Sequence, residues 1–424
     1  MRLYSTLTRR LEELPPPPGP IGIYYCGPTV YQRIHVGNAY AVSVFPLWLK
    51  SWLELRGYET TLVVNITDVN DKIYEAAPGR SAQLAEDATR WYLEDTDDLG
   101  LGRPDHEPRA TETMPEIIAL IEELITRDLA YAVDGDVYFR VARFPGYGKL
   151  SGQKPDEVQE QEPNPRKEDP RDFALWKGQK PVEDAAWESP WGPGRPGWHI
   201  ECSAMAEKYL GPEFELHGGG LDLRFPHHEN ERAQSRAAGR PFAKLWLHNG
   251  MLELDSEKMS KSLGNVYTLR QALDDWGREA LLLYFMTGHW RKPIDFSDRE
   301  LEAAEARAEG FREVFRNPSE QAPEGAWDEF AAALDDDFNT AEALAVMHSW
   351  RDHDLLRRAL DVFGLASLAD EAKAPTDVQD LAERRERARA ERDFGEADRL
   401  RAEIEAAGWE VRDVAEGFRL VPRR

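Results

Sequence analysis

Ile21-Gly-Ile-Tyr-Tyr-Cys26, the turn Gly27-Pro28-Thr29, the apolar-periodic run from Gly37 to Arg56, and Glu59-Thr-Thr-Leu-Val-Val-Asn65 follow one another near the start of the chain. The first and last of these stretches are short, rich in β-branched and aromatic residues, and read as buried strands. The run between them repeats its apolar positions at helical spacing, and Gly57 marks its end. Strand, glycine-bearing turn, helix, strand is the opening of a parallel α/β nucleotide-binding domain.

Working outward, the character changes after about residue 80. Helical stretches (Ala82 to Leu99, Met114 to Arg127) lead to a predicted hairpin with Asp134-Gly135 at its tip. A proline-rich acidic stretch from Pro155 to Pro170 reads as an exposed loop. Residues 81–195 therefore look like an insertion between two halves of the α/β domain, 1–80 and 196–255. In the second half, helices are expected at 203–209 and 227–238, and strands at 213–217 and 243–247. A further segment, 256–299, precedes residues 300–424, which are helical in periodicity apart from a small terminal unit after Gly408.

A chain of 424 residues exceeds one core of ordinary size, so two or three domains are expected. Hydrophobic residues make up 41% and charged residues 31%, the balance of a globular protein rather than a disordered one. No apolar run reaches the roughly 18 to 20 residues of a membrane span. Met1-Arg-Leu-Tyr-Ser-Thr lacks the apolar stretch of a secretory signal, and Cys26 and Cys202 form no disulfide framework. The expected address is cytoplasmic, with no membrane partner. The net charge of −25 speaks against a generic nucleic-acid binder, although local basic grooves remain compatible with it.

Three segments carry chemistry. In Tyr31-Gln-Arg-Ile-His35-Val-Gly37-Asn38, a helix N-terminus presents free N–H groups to phosphate, Gly37 permits close approach, and His35 and Asn38 donate hydrogen bonds. The plainer reading is a capping histidine. In Glu257-Lys258-Met-Ser-Lys261-Ser262-Leu-Gly264-Asn265, two lysines and two hydroxyls can clamp a polyphosphate leaving group. The plainer reading is a solvated lysine loop. The third segment is His227-His228-Glu229-Asn230-Glu231 taken with Cys26 and Cys202. On a helix, 227 and 231 share a face, with 228 and 231 as the poorer alternative. Two thiolates, an imidazole and a carboxylate suit zinc, against the alternative of two buried cysteines and a polar helix.

Taken together, the blocks show a specific resemblance. Cys26-Gly-Pro-Thr-Val-Tyr31, His35-Val-Gly-Asn38, Asn65-Ile-Thr-Asp68, Gly197-Trp-His-Ile-Glu-Cys202 and His217-Gly-Gly-Gly220-Leu-Asp222 are joined by three more. These are Phe225-Pro-His-His-Glu-Asn-Glu231, Lys258-Met-Ser-Lys-Ser262 and Asp335-Asp-Asp-Phe-Asn-Thr340. In this order they resemble cysteinyl-tRNA synthetases, of the class I aminoacyl-tRNA synthetase family, over essentially the whole chain. Three departures stand out: Tyr40 where the family usually has arginine, Asn70 interrupting an acidic run, and an abbreviated helical bundle between Thr340 and Asp377.

The resemblance implies a Rossmann-type parallel-sheet catalytic domain with an inserted connective domain, followed by a C-terminal α-helical bundle. Segment 256–299 would hold the KMSKS loop and stem contacts, and 300–424 the anticodon side. Cys26, Cys202, His227 and Glu231 match the family's zinc ligands, one Zn²⁺ per chain. His35 and Asn38 match its HIGH-type motif, and Lys258 and Lys261 its KMSKS loop. Gly37, Gly218, Gly220 and Asp222 would join His35, Asn38 and Lys261 around ATP, and Thr67, Trp198 and His217 would line the cysteine pocket. The implied activity is ATP-dependent, AMP-forming ligation of L-cysteine to tRNA(Cys), with Mg²⁺ accompanying ATP, by a monomer. The alternatives are a cysteine–amino-sugar ligase of mycothiol type and a non-catalytic paralogue.

Overall fold

The strand Pro20–Tyr25 is buried on both faces and lies inside a four-stranded sheet. Glu59–Val64 pairs with it on one side and Glu213–Gly220 on the other, and Phe242–Asn249 adds beyond that. Every pairing is parallel, so the sheet needs cover on both faces. The computed structural model describes residues 1–154, 163–181, 183–254, 257–258, 266–370, 374–414 and 417–422.

The first crossover is helical, as the periodicity predicts, but it is not uniform. Val36–Ala39 passes through a π turn, Tyr40–Val44, into Phe45–Leu55. Pro46 explains the wide turn, because it has no N–H to continue the ladder and its ring crowds the preceding carbonyls. Within that turn Tyr40 is buried and stacks on Phe285, ring centroids 4.8 Å apart. Gly57, at φ +90°, lets the chain turn back into the next strand.

The chain then leaves the sheet. Helices Ser81–Asp97 and Met114–Thr126 precede the antiparallel strands Ala130–Val133, Asp136–Phe139, Phe173–Gly178 and Gly194–Pro196, in that order across their sheet. The hairpin tip at Asp134-Gly135 falls where the turn chemistry puts it. The chain rejoins the main sheet through helix Trp198–Leu210, which starts five residues earlier than the expected 203 because Gly197 serves as its N-cap with no side-chain signal. Because strand Pro20–Tyr25 is flanked on one side by the strand before the insertion and on the other by the strand after it, the strand order reverses at its C-terminal end. Crevices form there in open α/β sheets.

Beyond the sheet, Leu252–Leu254 pairs in parallel with Ile294–Phe296 and antiparallel with Glu257–Lys258. Helices Leu269–Met286, Asp298–Arg316, Ala326–Asp335, Thr340–His348 and His353–Val362 follow. Phe330, Leu334, Met347, Leu356 and Phe363 share one core with Trp48 and Trp52. The chain divides into two compact units, Met1–Leu368 and Ala369–Arg424. The second holds helices Thr376–Ala390 and Phe394–Ala406 and the hairpin Trp409–Val414/Gly417–Pro422 around a small core of Val378, Ala382, Ile404 and Val411.

Candidate active site and metal centre

Where strand Pro20–Tyr25 ends, backbone constraints aim Cys26 inward. Gly27 donates its N–H to Asn65 Oδ1 at 3.0 Å, and a Cβ on it would lie 1.7 Å from the Asn65 carbonyl oxygen. Only glycine fits that approach. Helix Trp198–Leu210 brings Cys202 to the same place, its Sγ 3.6 Å from Asn65 Oδ1. Helix His227–Ala237 supplies His227 and Glu231 from one face. The ligand atoms of Cys26, Cys202, His227 and Glu231 all lie within 4.8 Å of one another, and all four residues are buried. Cys26 Sγ is 3.2 Å from Glu231 Oε1. His227 Nε2 is also 3.2 Å from Glu231 Oε1, yet it makes no hydrogen bond.

A divalent ion fits this set. Its donors are two sulfurs, a nitrogen and a carboxylate oxygen, and an imidazole nitrogen is left orphaned and buried, facing the others. Burial pushes the Cys26 and Cys202 thiols above their usual range and the His227 imidazole well below its own. A cation would reverse the burden on the thiols, since a metal binds them as thiolates. A second set, Cys26, His217, His228 and Glu231, meets the same distance limit. There, however, His217 Nε2 is already engaged with Glu231 Oε2 at 2.8 Å, and the set offers one sulfur instead of two.

Other imidazoles close the ring. His199 Nδ1 meets His227 Nδ1 at 2.8 Å, which leaves His227 Nε2 facing the cluster. His228 Nδ1 meets His248 Nε2 at 2.8 Å, and His248 Nδ1 meets Thr6 Oγ1 at 2.8 Å. His217 stacks on Trp246, centroids 4.4 Å apart. Burial holds His199 and His248 down at about 3, and His227 and His228 are also driven well below the ordinary range. Each has a lower pKa folded than unfolded, so its contribution is present above about pH 6.5 and lost as pH falls. The chelated protein is therefore expected to lose at least about 1 kcal/mol per pH unit below about 6.5. Urea unfolding between pH 7.5 and 5 checks this, and a flat midpoint would contradict it.

A cleft opens above the cluster, lined by Cys26, Thr29, His35, Asn38, Trp198, Gly220 and Asp222, with Arg33 and Lys72 as cations at its wall. His35 is the N-cap of the first helix, its Nδ1 accepting the Asn38 N–H at 3.2 Å. A Cβ on Gly37 would crowd the His35 ring at 3.3 Å, and one on Gly218 would meet the Tyr25 ring at 2.2 Å. Thr67 is buried beside Asn65, whose Nδ2 donates to its Oγ1 at 3.2 Å. His217 is fully buried and faces Glu231. Lys258 ends the short strand that pairs with Leu252–Leu254, and Lys261 lies outside the described residues.

Sequence reasoning passed over several residues that the structure brings to the cluster. His199 and Asn65 sit inside blocks quoted for their neighbours. His248 and Thr6 have no local signal, because only the pairing of distant segments brings them there.

The family described as "tRNA synthetases class I (C) catalytic domain" matches residues 15–306, and the DALR domain matches 329–352. The chain is 43% identical over 462 aligned residues to a cysteine--tRNA ligase of Geobacillus thermodenitrificans, covering 99% of this chain and 98% of that one. A cysteine--tRNA ligase of Halorhodospira halophila is 43% identical, with 98% of each covered. Among solved structures, Mycobacterium tuberculosis methionyl-tRNA synthetase with methionyl-adenylate superposes with a TM-score of 0.59 at 13% identity, over 82% of this chain and 88% of that one. The Agrobacterium radiobacter LeuRS–tRNA–LeuAMS complex gives 0.55 at 12% identity, over 84% and 83%. These two share the fold. With a catalytic-domain match over most of the chain and full-length relatives at this identity, the chain belongs to the class I tRNA synthetase family.

Proposed function

We propose that this chain is a cysteine–tRNA ligase that activates L-cysteine with ATP and transfers it to the 3′-terminal ribose of tRNA(Cys). The observation that carries the reading is the buried Cys26/Cys202/His227/Glu231 cluster, whose Cys26 also lines a cleft walled by His35, Asn38 and Asp222. A zinc ion held by those four residues would supply a soft Lewis acid that prefers a thiolate to the hydroxyl of serine.

The chain's own residues do the rest. Thr67, Trp198 and His217 shape the amino-acid end, with His217 fixing the Glu231 carboxylate. Gly218, Gly220 and Asp222 take the adenosine. The cysteine carboxylate oxygen attacks the α-phosphorus of ATP, and the bond to pyrophosphate breaks. His35, Asn38, Lys258 and Lys261 steady the charge that develops, Gly37 admits the phosphates, and Mg²⁺ travels with the nucleotide. A terminal ribose hydroxyl of tRNA, the 2′ by resemblance to class I enzymes, then attacks the carbonyl carbon and AMP leaves.

In this reading residues 1–80 and 196–255 are the catalytic halves, 81–195 the connective insertion, 256–299 the KMSKS and stem region, and 300–424 the tRNA side. Two buried free thiols fit a reducing cytoplasm, and no helix among the described residues is long and apolar enough to cross a membrane. A monomer is expected. Charging of a tRNA pool with radiolabelled cysteine by zinc-replete enzyme tests the proposal. Brisk ligation of cysteine to an amino-sugar with no tRNA charging would replace it.

The two compact units allow a sharper test. Helices Ala326–Asp335 through His353–Val362 share the core of Trp48 and Trp52, so the cut belongs after Leu368. Removing 369–424 should leave cysteine-dependent adenylate formation intact and lower tRNA charging at least about tenfold. With a net charge of −25, full-length binding to tRNA should weaken steeply with salt. Equal charging by both forms would remove the terminal unit from tRNA recognition.

A further inference from the structure

Among the described residues, Asp335-Asp-Asp-Phe-Asn-Thr340 touches none of those assigned to substrate above, yet it holds the one consecutive pair of non-glycine residues with positive φ. Asp337 and Phe338 sit consecutively at φ +61° and +49°, the left-handed region that non-glycine residues rarely enter and bulky ones avoid. Such conformations persist only where the surroundings over-determine them. Here the surroundings come from three directions.

The Asp337 carboxylate is buried. Its Oδ2 accepts from Arg291 Nε at 2.7 Å, and its Oδ1 accepts the Tyr4 N–H at 2.8 Å. Its carbonyl accepts from Trp290 Nε1 at 2.7 Å, and its N–H donates to the Arg2 carbonyl at 2.9 Å. The Arg291 guanidinium lies over the Tyr4 ring at 4.3 Å. Thr340 Oγ1 reaches the Gly288 carbonyl at 3.4 Å. Segment 288–291 is thus pinned at both ends by one turn.

That segment holds the lysine strand. The Trp290 carbonyl accepts the Gly250 N–H at 2.7 Å, and the Ile294 N–H reaches the Met251 carbonyl at 3.1 Å. From there Leu252 pairs with Ile294, and Glu253 pairs with both Asp295 and Lys258. Gly250 has no slack, because a Cβ on it would meet the Lys292 carbonyl oxygen at 2.1 Å. Phe338 packs edge-on against Phe45, 5.6 Å between centroids, and Phe45 meets Trp290 at 5.0 Å, so the helix that begins at His35 is held by the same turn. On the third side Tyr4 leads to Thr6, which bonds His248 behind the metal cluster.

We propose that Asp337 is a positioning residue for adenylate formation: its carboxylate, through Arg291, sets the strand pair that carries Lys258 against the helix that carries His35 and Asn38. The inference rests on the proposed ligase reading and adds a residue that contacts no substrate. Because the turn lies within the matched DALR segment, it also ties the tRNA-side helices to the catalytic lysine strand.

The test uses full-length, zinc-replete enzyme and cysteine-dependent ATP–pyrophosphate exchange. Asp337→Gly keeps the left-handed turn free of strain and removes only the carboxylate; Asp337→Asn keeps one acceptor; Asp336→Ala, beside it but half exposed, is the control. The expected result is a fall in kcat of at least about tenfold for Asp337→Gly and an intermediate value for Asp337→Asn. The KM for cysteine should stay within about twofold, zinc content should be unchanged, and Asp336→Ala should be near wild type. Arg291→Ala should reproduce the Asp337→Gly profile, which keeps the inference testable if a variant at 337 fails to fold. Wild-type kcat in Asp337→Gly would show that only the turn matters and overturn the inference. A loss confined to KM, or matched by lost zinc, would also overturn it. An inactive wild-type enzyme would instead bring down the ligase reading, and this inference with it.

Discussion

Cys202→Ser should leave the purified chain with little of its metal and lower cysteine activation by at least about a thousandfold. The expectation follows from the donor set. Serine keeps the volume and the helix, so the fold of Trp198–Leu210 has no reason to change. What changes is the ligand: a hydroxyl stays protonated at neutral pH, where a metal-bound thiol does not. The cluster then has one sulfur, one imidazole and one carboxylate, and the softest contribution is halved. Because burial raises both thiols in the metal-free cluster, protons compete with the metal for them. Binding therefore weakens as pH falls, and zinc release from the wild type should begin at a lower pH than from Cys202→Ser. Metal analysis with parallel exchange assays reads both outcomes. A metal-free variant with full activity would end the zinc reading.

Why that cluster was partly legible in the sequence, and partly not, has a physical explanation. His227 and Glu231 are four residues apart, so helical geometry alone puts them on one face, and the structure sets them 3.2 Å apart. The parallel sheet was legible for a similar reason: strand, helix and strand each carry a local period. Spacing alone leaves His228 as the poorer alternative, since three-residue spacing also shares a face. In the structure its Nδ1 turns to His248, and its Nε2 stands 3.9 Å from Glu231. No local pattern announces that pairing, because it depends on helix His227–Ala237 packing against strand Phe242–Asn249.

The same limit applies elsewhere. Helix Trp198–Leu210 begins without a capping side chain, so its first turn, which carries Trp198 and His199, could not be read as helix. The departure at Tyr40 becomes intelligible only in three dimensions: the side chain packs on Phe285 in the π turn before Pro46 and leaves the cleft wall to Arg33 and Lys72. The left-handed pair Asp337-Phe338 had no glycine to signal it. Motif order shows which segments take part, and packing decides which atoms meet.

Lys261→Ala should slow cysteine-dependent ATP–pyrophosphate exchange by roughly a hundredfold or more, the scale of a lost transition-state contact. Lys261 lies outside the described residues, so the argument runs from what carries it. Strand Glu257–Lys258 is registered against Leu252–Leu254, and that strand against Ile294–Phe296, which fixes where the loop departs. A Cβ on Gly37 would touch Leu252 at 3.4 Å, so the strand preceding the loop runs close beside the His35 turn. Negative charge grows on the pyrophosphate as its bond to the α-phosphorus breaks, and a lysine ammonium that meets that charge acts in the transition state more than in bound ATP. The loss should therefore fall on kcat. Cysteine affinity should change little, because the thiol end is held by a buried cluster that the loop does not build. Lys261→Arg keeps the charge but not the compact ammonium, and partial recovery is expected from it. Exchange kinetics at saturating and limiting cysteine separate the two parameters. An unaltered exchange rate with collapsed cysteine binding would move Lys261 from the phosphates to the amino-acid pocket.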